Sequence, residues 1–226
     1  MGTFKAVGIG VAMMAMVGCT SAPPKESGFL GNEYSKMHQT EAPDGGRRLS
    51  YLNPRFTPAN YNALLLEPVV YYPEPQPTEK VSMATLDQIR TYADTSLRQK
   101  LGQQVRLVEK PGPGVARVRV AVTAVGSENQ PLAFYQYIPV ALLVTGAKAA
   151  IEGGRPQDAT IAIETSITDS MTNETLYAAV RGGAGKEITE SGTEGETGVR
   201  LQNVEALIDT WTTGAAQEIV KYVAAR

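Results

Sequence analysis

Val115-Ala116-Arg117-Val118-Arg119-Val120-Ala121-Val122-Thr123-Ala124-Val125 is the run that decides how this chain folds. Small and branched apolar residues stand at every second position, the period at which strand side chains return to one face. Ala116, Val118, Val120, Val122 and Ala124 are therefore expected on one buried face. Arg117 and Arg119 point the other way and read as solvated or ion-paired surface groups, with an anion-binding pair as the alternative. Just upstream, Pro111-Gly112-Pro113-Gly114 is a strong turn signal, and Val105 to Lys110 before it reads as another strand.

Further strands lie on both sides of this run. Ala159 to Asp169 alternates again, with Ile161, Ile163 and Ile167 on one face. Ser170 to Glu174 turns the chain, and Thr175 to Arg181 returns with Leu176, Ala178 and Val180, the clearest hairpin in the sequence. Ala63 to Tyr72 is the first strand of the domain, and Pro68 within it marks an edge or a break, because proline cannot donate to a ladder.

Two segments carry helical periodicity. After Ser82, a good N-cap, Leu86, Ile89, Ala93, Leu97 and Leu101 recur at three- and four-residue spacing until Gly102, where the helix is expected to stop. From Val199 a second stripe runs through Leu201, Val204, Ile208, Trp211, Ala215, Ile219 and Tyr222. Leu132 to Ile151 is interrupted by Gln136, Pro139 and Lys148, so it reads as a buried loop leading into a short helix over 140–150, not as a membrane span. Phe134, Tyr135 and Tyr137 there read as core, with a ligand groove as the alternative. Residues 182–198 are rich in Gly, Glu and Thr, show no periodicity and read as a loop. These patterns predict a single α+β domain: a mixed or mainly antiparallel sheet with two amphipathic helices packed on one face.

The amino terminus has a different logic. Lys5 precedes an uncharged Ala/Val/Met/Gly run from Ala6 to Val17, the length of a signal-peptide core and too short to span a bilayer. Gly18 then stands before Cys19, the one cysteine of the chain. Ala15-Met16-Val17-Gly18-Cys19 resembles the lipobox of bacterial lipoproteins, in which the chain is cut before a diacylated cysteine, although Met16 stands where leucine is usual. That resemblance implies cleavage between Gly18 and Cys19 and acylation, a palmitate-type anchor, at Cys19. Thr20 follows, and resemblance to lipoprotein sorting in Gram-negative bacteria, where an aspartate there retains the protein at the inner membrane, implies the periplasmic face of the outer membrane. Residues 1–18 are thus a removable signal peptide, 19–60 a tether and docking arm, and 61–226 the globular domain. The arm is expected to dock because Phe29, Leu30, Tyr34 and Met37 are too apolar for a solvated linker.

Composition excludes several functions. A net charge of −2 without a basic block argues against nucleic-acid binding. One histidine, His38, rules out a multi-histidine metal site, and one cysteine rules out an internal disulfide. Gly182-Gly183-Ala184-Gly185-Lys186-Glu187 fails as a phosphate loop, because Val180 stands at the leading Gly and Glu187 at the Ser/Thr. Glu187, Glu190, Glu194 and Glu196 lack a calcium-loop pattern and read as a solvated acidic run. No catalytic, cofactor-binding or metal residue is assigned.

With the chain read, a family resemblance can be placed. Ser27-Gly28-Phe29-Leu30, Tyr51-Leu52-Asn53-Pro54, Leu66-Glu67-Pro68-Val69 and the 111–114 turn running into Val118-Arg119-Val120 resemble bacterial lipoproteins grouped as domain of unknown function 3313. Asp169 to Leu176 is also similar, by analogy only, to the Asp-x-x-Thr-Gly-type hairpin of periplasmic assembly lipoproteins, with Asn173 in place of Gly. The first resemblance implies export, lipidation and one α/β domain, and brings no activity or catalytic residue. The expectation is a non-enzymatic binding or envelope-maintenance module, anchored in the membrane and meeting an envelope protein or cell-wall partner. The alternative is a carboxylate-dependent hydrolase or transferase acting on an envelope polymer.

Overall fold

The computed structural model describes residues 26–128, 157–188 and 198–225. Its elements in chain order are β1 (His38–Glu41), β2 (Arg47–Leu52), β3 (Ala63–Leu66), β4 (Val70–Tyr71), α1 (Met83–Gln104), β5 (Leu107–Val108), β6 (Val115–Glu128), β7 (Gln157–Asp169), β8 (Thr175–Ile188) and α2 (Leu201–Ile219). The strands form one mixed sheet in the order β1-β2-β8-β7-β6-β3-β5, with β4 also pairing β6. The central β6-β7-β8 pairings and the β8-β2-β1 side are antiparallel, whereas β3 and β4 run parallel to β6. Both helices lie on one face, as the sequence predicts, and form an α+β domain with the sheet.

β6 keeps its alternation only part of the way. Ala116, Val118, Val120 and Val122 join the helix-side core, but Ala124 does not. Val122 pairs with Ile163 and Ala124 with Ala162, so Thr123 is an extra residue, a bulge that resets the period. Ala124 therefore joins Ala121 on the opposite face, and Val125 replaces it beneath the helices. A second irregularity near Ile167 splits the expected β8 stripe in the same way. Leu176 faces the helices, while Ala178 and Val180 face away from them.

Pro68 breaks the first strand as expected. β3 and β4 both follow β6, and between them Val69 N–H donates to Asp94 Oδ1 at 2.9 Å in place of a ladder bond. The 111–114 turn does not close a hairpin, because β3 lies between β5 and β6. Ser82 caps α1 by accepting from Thr85 N–H at 3.1 Å. The helix runs past Gly102 to Gln104, with Leu107 packed against the glycine. In α2 the stripe is buried at Val204, Ile208, Trp211 and Ile219, whereas Ala215 is exposed and Ala216 is buried instead.

Residues 182–188 correct the loop expectation, since they continue β8 against β7. Gly183 and Gly185 explain why. A Cβ on Gly183 would come within 2.9 Å of Trp211 Cζ2, and one on Gly185 within 2.1 Å of the Asn203 carbonyl oxygen. The glycines are the places where α2 meets the strand backbone, so this stretch lacks the apolar side chains by which a strand is usually recognised. The expected short helix over 140–150, Phe134, Tyr135, Tyr137, and the acids Glu190, Glu194 and Glu196 lie outside the described residues.

Gly185→Ala should lower stability by about 1–3 kcal/mol, because backbone must move to admit the methyl group. Gly112→Ala, whose methyl would meet nothing nearer than Val115 Cγ2 at 3.8 Å, should change it by no more than about 0.5 kcal/mol. Urea unfolding of the two variants beside the parent measures the contrast.

Candidate functional site

The two faces of the sheet are covered differently. On the face away from the helices, Glu164 at the middle of β7 is 0% exposed. Its cross-strand neighbours are Ala121 and Val180, which offer it no hydrogen bond from their side chains. A buried carboxylate needs donors, and one comes from the amino-terminal arm: Tyr34 Oη–H donates to Glu164 Oε2 at 2.6 Å. The same phenol oxygen accepts from Gly28 N–H at 3.1 Å and Leu30 N–H at 3.3 Å, and lies 3.0 Å from Ser27 Oγ. Burial, and then the hydrogen bond to Glu164, push the Tyr34 hydroxyl up to about 12.

Ser27-Gly28-Phe29-Leu30 is therefore wound around one hydroxyl. Phe29 and Leu30 are buried against Ala121, Ala124, Ala162, Ala178 and Val180, with Tyr34 and Met37 packed beside them. Phe29 also lies between Tyr72, at 5.7 Å between ring centroids, and the Arg119 guanidinium 4.7 Å over its ring. Arg117 and Arg119 are ion-paired, as one sequence reading had it: their Nε atoms lie 3.5 and 3.7 Å from the two oxygens of Glu67. Arg117 Nη1 donates to Asn173 Oδ1, and Asn173 takes the left-handed conformation (φ 59°) that glycine usually fills in such a turn. His38 sits exposed on β1, the outermost strand.

The helix side carries a cleft. Ile163, Thr165, Ile167 and Tyr177 point toward the helices yet are only half-buried, because the helices do not reach them. An apolar cleft of about 160 Å³ results. Val118, Val120 and Val122 form its floor with the β7 isoleucines, and Ala93, Leu97, Leu101, Ile208, Trp211 and Ile219 form its roof. Three polar devices hold the roof in place. Asp209 ties α2 to α1 by accepting from Tyr92 Oη at 2.8 Å, Ser96 Oγ at 3.1 Å and Lys100 Nζ at 2.9 Å. The Lys100 hydrogen bond holds the Asp209 carboxyl below the usual range, so the tie is ionic at neutral pH.

At the rim of the cleft, Arg48 of β2 binds Glu218 of α2 bidentately at 2.6 and 2.7 Å, with only 14% and 16% of the two side chains exposed. Arg181, stacked 4.7 Å over Trp211, pairs with Asp44. Burial opposes ionisation of Asp44, but the hydrogen bonds from Arg181 and Gly46 N–H, together with the Arg181 charge, outweigh it and hold the carboxyl below its usual range. Every charge lining the cleft thus has a partner. Glu218 is its only carboxylate among the described residues, so this lining presents no facing pair of acids. None of the described residues forms a cluster of three or more His, Cys, Asp and Glu able to hold a metal ion. Gly18 and Cys19 lie outside the described residues.

Sequence reading found the arm's apolar residues but neither the role of Glu164 nor the cleft. Glu164 follows Ile163 in an alternating strand, where an acid normally marks the wet face. The available signal was Tyr34 and Phe29, aromatics in excess of what a tether needs.

Residues 25–215 match the family described as "Protein of unknown function (DUF3313)", and the chain belongs to that family. It is 33% identical over 206 residues, 90% of each chain, to "Uncharacterized lipoprotein YdcL" of Escherichia coli K12, and equally to its counterpart in strain O157:H7. Solved structures that align with it include protein XCC0632 from Xanthomonas campestris (TM-score 0.37, 13% identity, 75% of this chain and 86% of that one). Another is the PelC dodecamer from Paraburkholderia phytofirmans (TM-score 0.34, 11% identity, 79% and 98%).

Tyr34→Phe removes one donor to Glu164 and should cost about 1–3 kcal/mol. The Tyr34 contribution is complete below pH 10, the ordinary tyrosine value, and is lost as pH rises through about 12, because the folded pKa is the raised one. The stability difference between parent and Tyr34→Phe should therefore be constant from pH 7 to 9 and shrink above 10, as read by urea unfolding across that range.

Proposed function

We propose that this member of the DUF3313 family is a membrane-proximal binding module, held by a lipid at Cys19 on the periplasmic face of the outer membrane. The observation that carries this reading is the docking of Ser27 to Leu30 on the sheet through Tyr34 and Glu164. Because the arm is fixed from Ser27 onward, the backbone from Cys19 to Ser27 can span at most about 29 Å even when fully extended. A lipid on Cys19 would therefore keep the whole domain close to the bilayer. Its partner, an envelope protein or cell-wall component, would be met at high effective concentration, so a modest surface suffices.

The lipobox-like ending at Gly18-Cys19 and the lipoprotein relative support the anchor. Among the described residues no helix is long and apolar enough to cross a membrane. Two or more acyl chains on one cysteine hold a protein stably, where a single chain gives only marginal attachment. Thr20 supports the outer-membrane address by resemblance to lipoprotein sorting. The role is binding without catalysis and without a cofactor. It is supported by the neutral apolar cleft and by the commitment of Glu218 to Arg48.

Cys19→Ser should abolish incorporation of labelled palmitate and move the protein from the membrane pellet to a soluble or uncleaved form. Fractionation on a sucrose gradient should place the parent with outer-membrane markers. A Cys19→Ser chain that stays acylated and sediments with membranes would overturn the reading.

A further inference from the structure

We infer that the cleft between the helices and the sheet is a binding site for a neutral amphiphile with one short hydrocarbon chain. Its volume, about 160 Å³, is close to the roughly 150 Å³ at which a dry apolar cavity admits a benzene-sized guest, so it takes about six carbons of a chain and leaves the remainder and the head at the rim. The walls are mainly Val, Ile, Leu and Ala with Phe56 and Trp211, and few hydroxyls (Thr165, Tyr177, Thr212, Tyr222) join them, so the guest is held chiefly by burial of hydrocarbon. The helices cannot simply settle into the gap, because α2 already rests on Gly183 and Gly185 at one end and is tied to β2 by Arg48–Glu218 at the other.

The rim decides the charge of the guest. Arg48 is the cation a carboxylate or phosphate head would seek, and both of its terminal nitrogens are already taken by Glu218. An anionic head would have to displace Glu218 or sit beside its largely buried carboxylate, and either way two negative charges would share one guanidinium. Arg181 is likewise held by Asp44. A hydroxyl head escapes this conflict, because it can share hydrogen bonds with an intact pair. The site thus selects neutral over anionic chains of the same length. This inference stands on the cleft alone and is independent of whether Cys19 is acylated.

The test uses the full chain carrying Cys19→Ser, purified without detergent, titrated with octan-1-ol and separately with octanoate at pH 8. Trp211, the only tryptophan, lines the cleft and reports occupancy by its fluorescence. Octan-1-ol should give a saturable change and octanoate a response at least tenfold weaker. Ala93→Leu and, separately, Ala179→Val place added carbon inside the cleft and should abolish the octan-1-ol response while leaving the circular dichroism of the fold unchanged. Equal or tighter binding of octanoate would overturn the inference, as would no saturable response to octan-1-ol or an undiminished response in both folded variants. If neither variant folds, nuclear Overhauser contacts between octan-1-ol and the Trp211 ring decide the matter on the parent chain, and their absence counts against the site.

Discussion

Glu164 sets the terms for this domain. An acid that is 0% exposed in the middle strand of a sheet must have donors brought to it, and neighbouring Ala121 and Val180 side chains have none. Tyr34 supplies one from more than a hundred residues away in sequence, and the arm that carries Tyr34 also covers the small residues around the carboxylate. The arm is in this sense a structural layer, and the strands that follow it, β1 and β2, extend the same sheet through β8. Removing the arm would expose both an apolar face and a carboxyl group.

The two faces of the sheet are built on opposite principles. The arm face is lined mainly by alanines and one valine, so chain can lie close on it and a single polar contact fixes its position. The helix face has larger, branched residues, yet the helices above it are held by ties at their ends and to each other, and the middle stays partly open. One side uses its close packing for attachment. The other keeps room for a guest.

Much of this plan was legible in the residues. The period of Val115 to Val122, the isoleucines of β7, the stripe of α1 and the Ser170–Glu174 turn each reflect a local rule that tertiary context did not override. What escaped notice was what depends on distant chain. The Thr123 bulge leaves no mark in composition, and it moves Ala124 to the other face. Gly183 and Gly185 look like loop residues until α2 is laid on them. Glu164 reads as a solvated acid until Tyr34 arrives. The cleft could not be read at all, since it is a mismatch between two packed layers and belongs to no single segment.

The contact between the arm and β7 also has a consequence for the order of assembly. Tyr34 meets Glu164, and Leu49 pairs with Val180, so the first described residues of the chain find partners more than a hundred residues downstream. Closing such long loops must be met in entropy before the contacts return anything, which places these pairings late, after the local β7–β8 hairpin and α1. A chain emerging amino terminus first would thus hold the arm's aromatics unshielded until β7 and β8 had appeared. Phe29 and Tyr34 would make that interval the one in which a chaperone has most to protect.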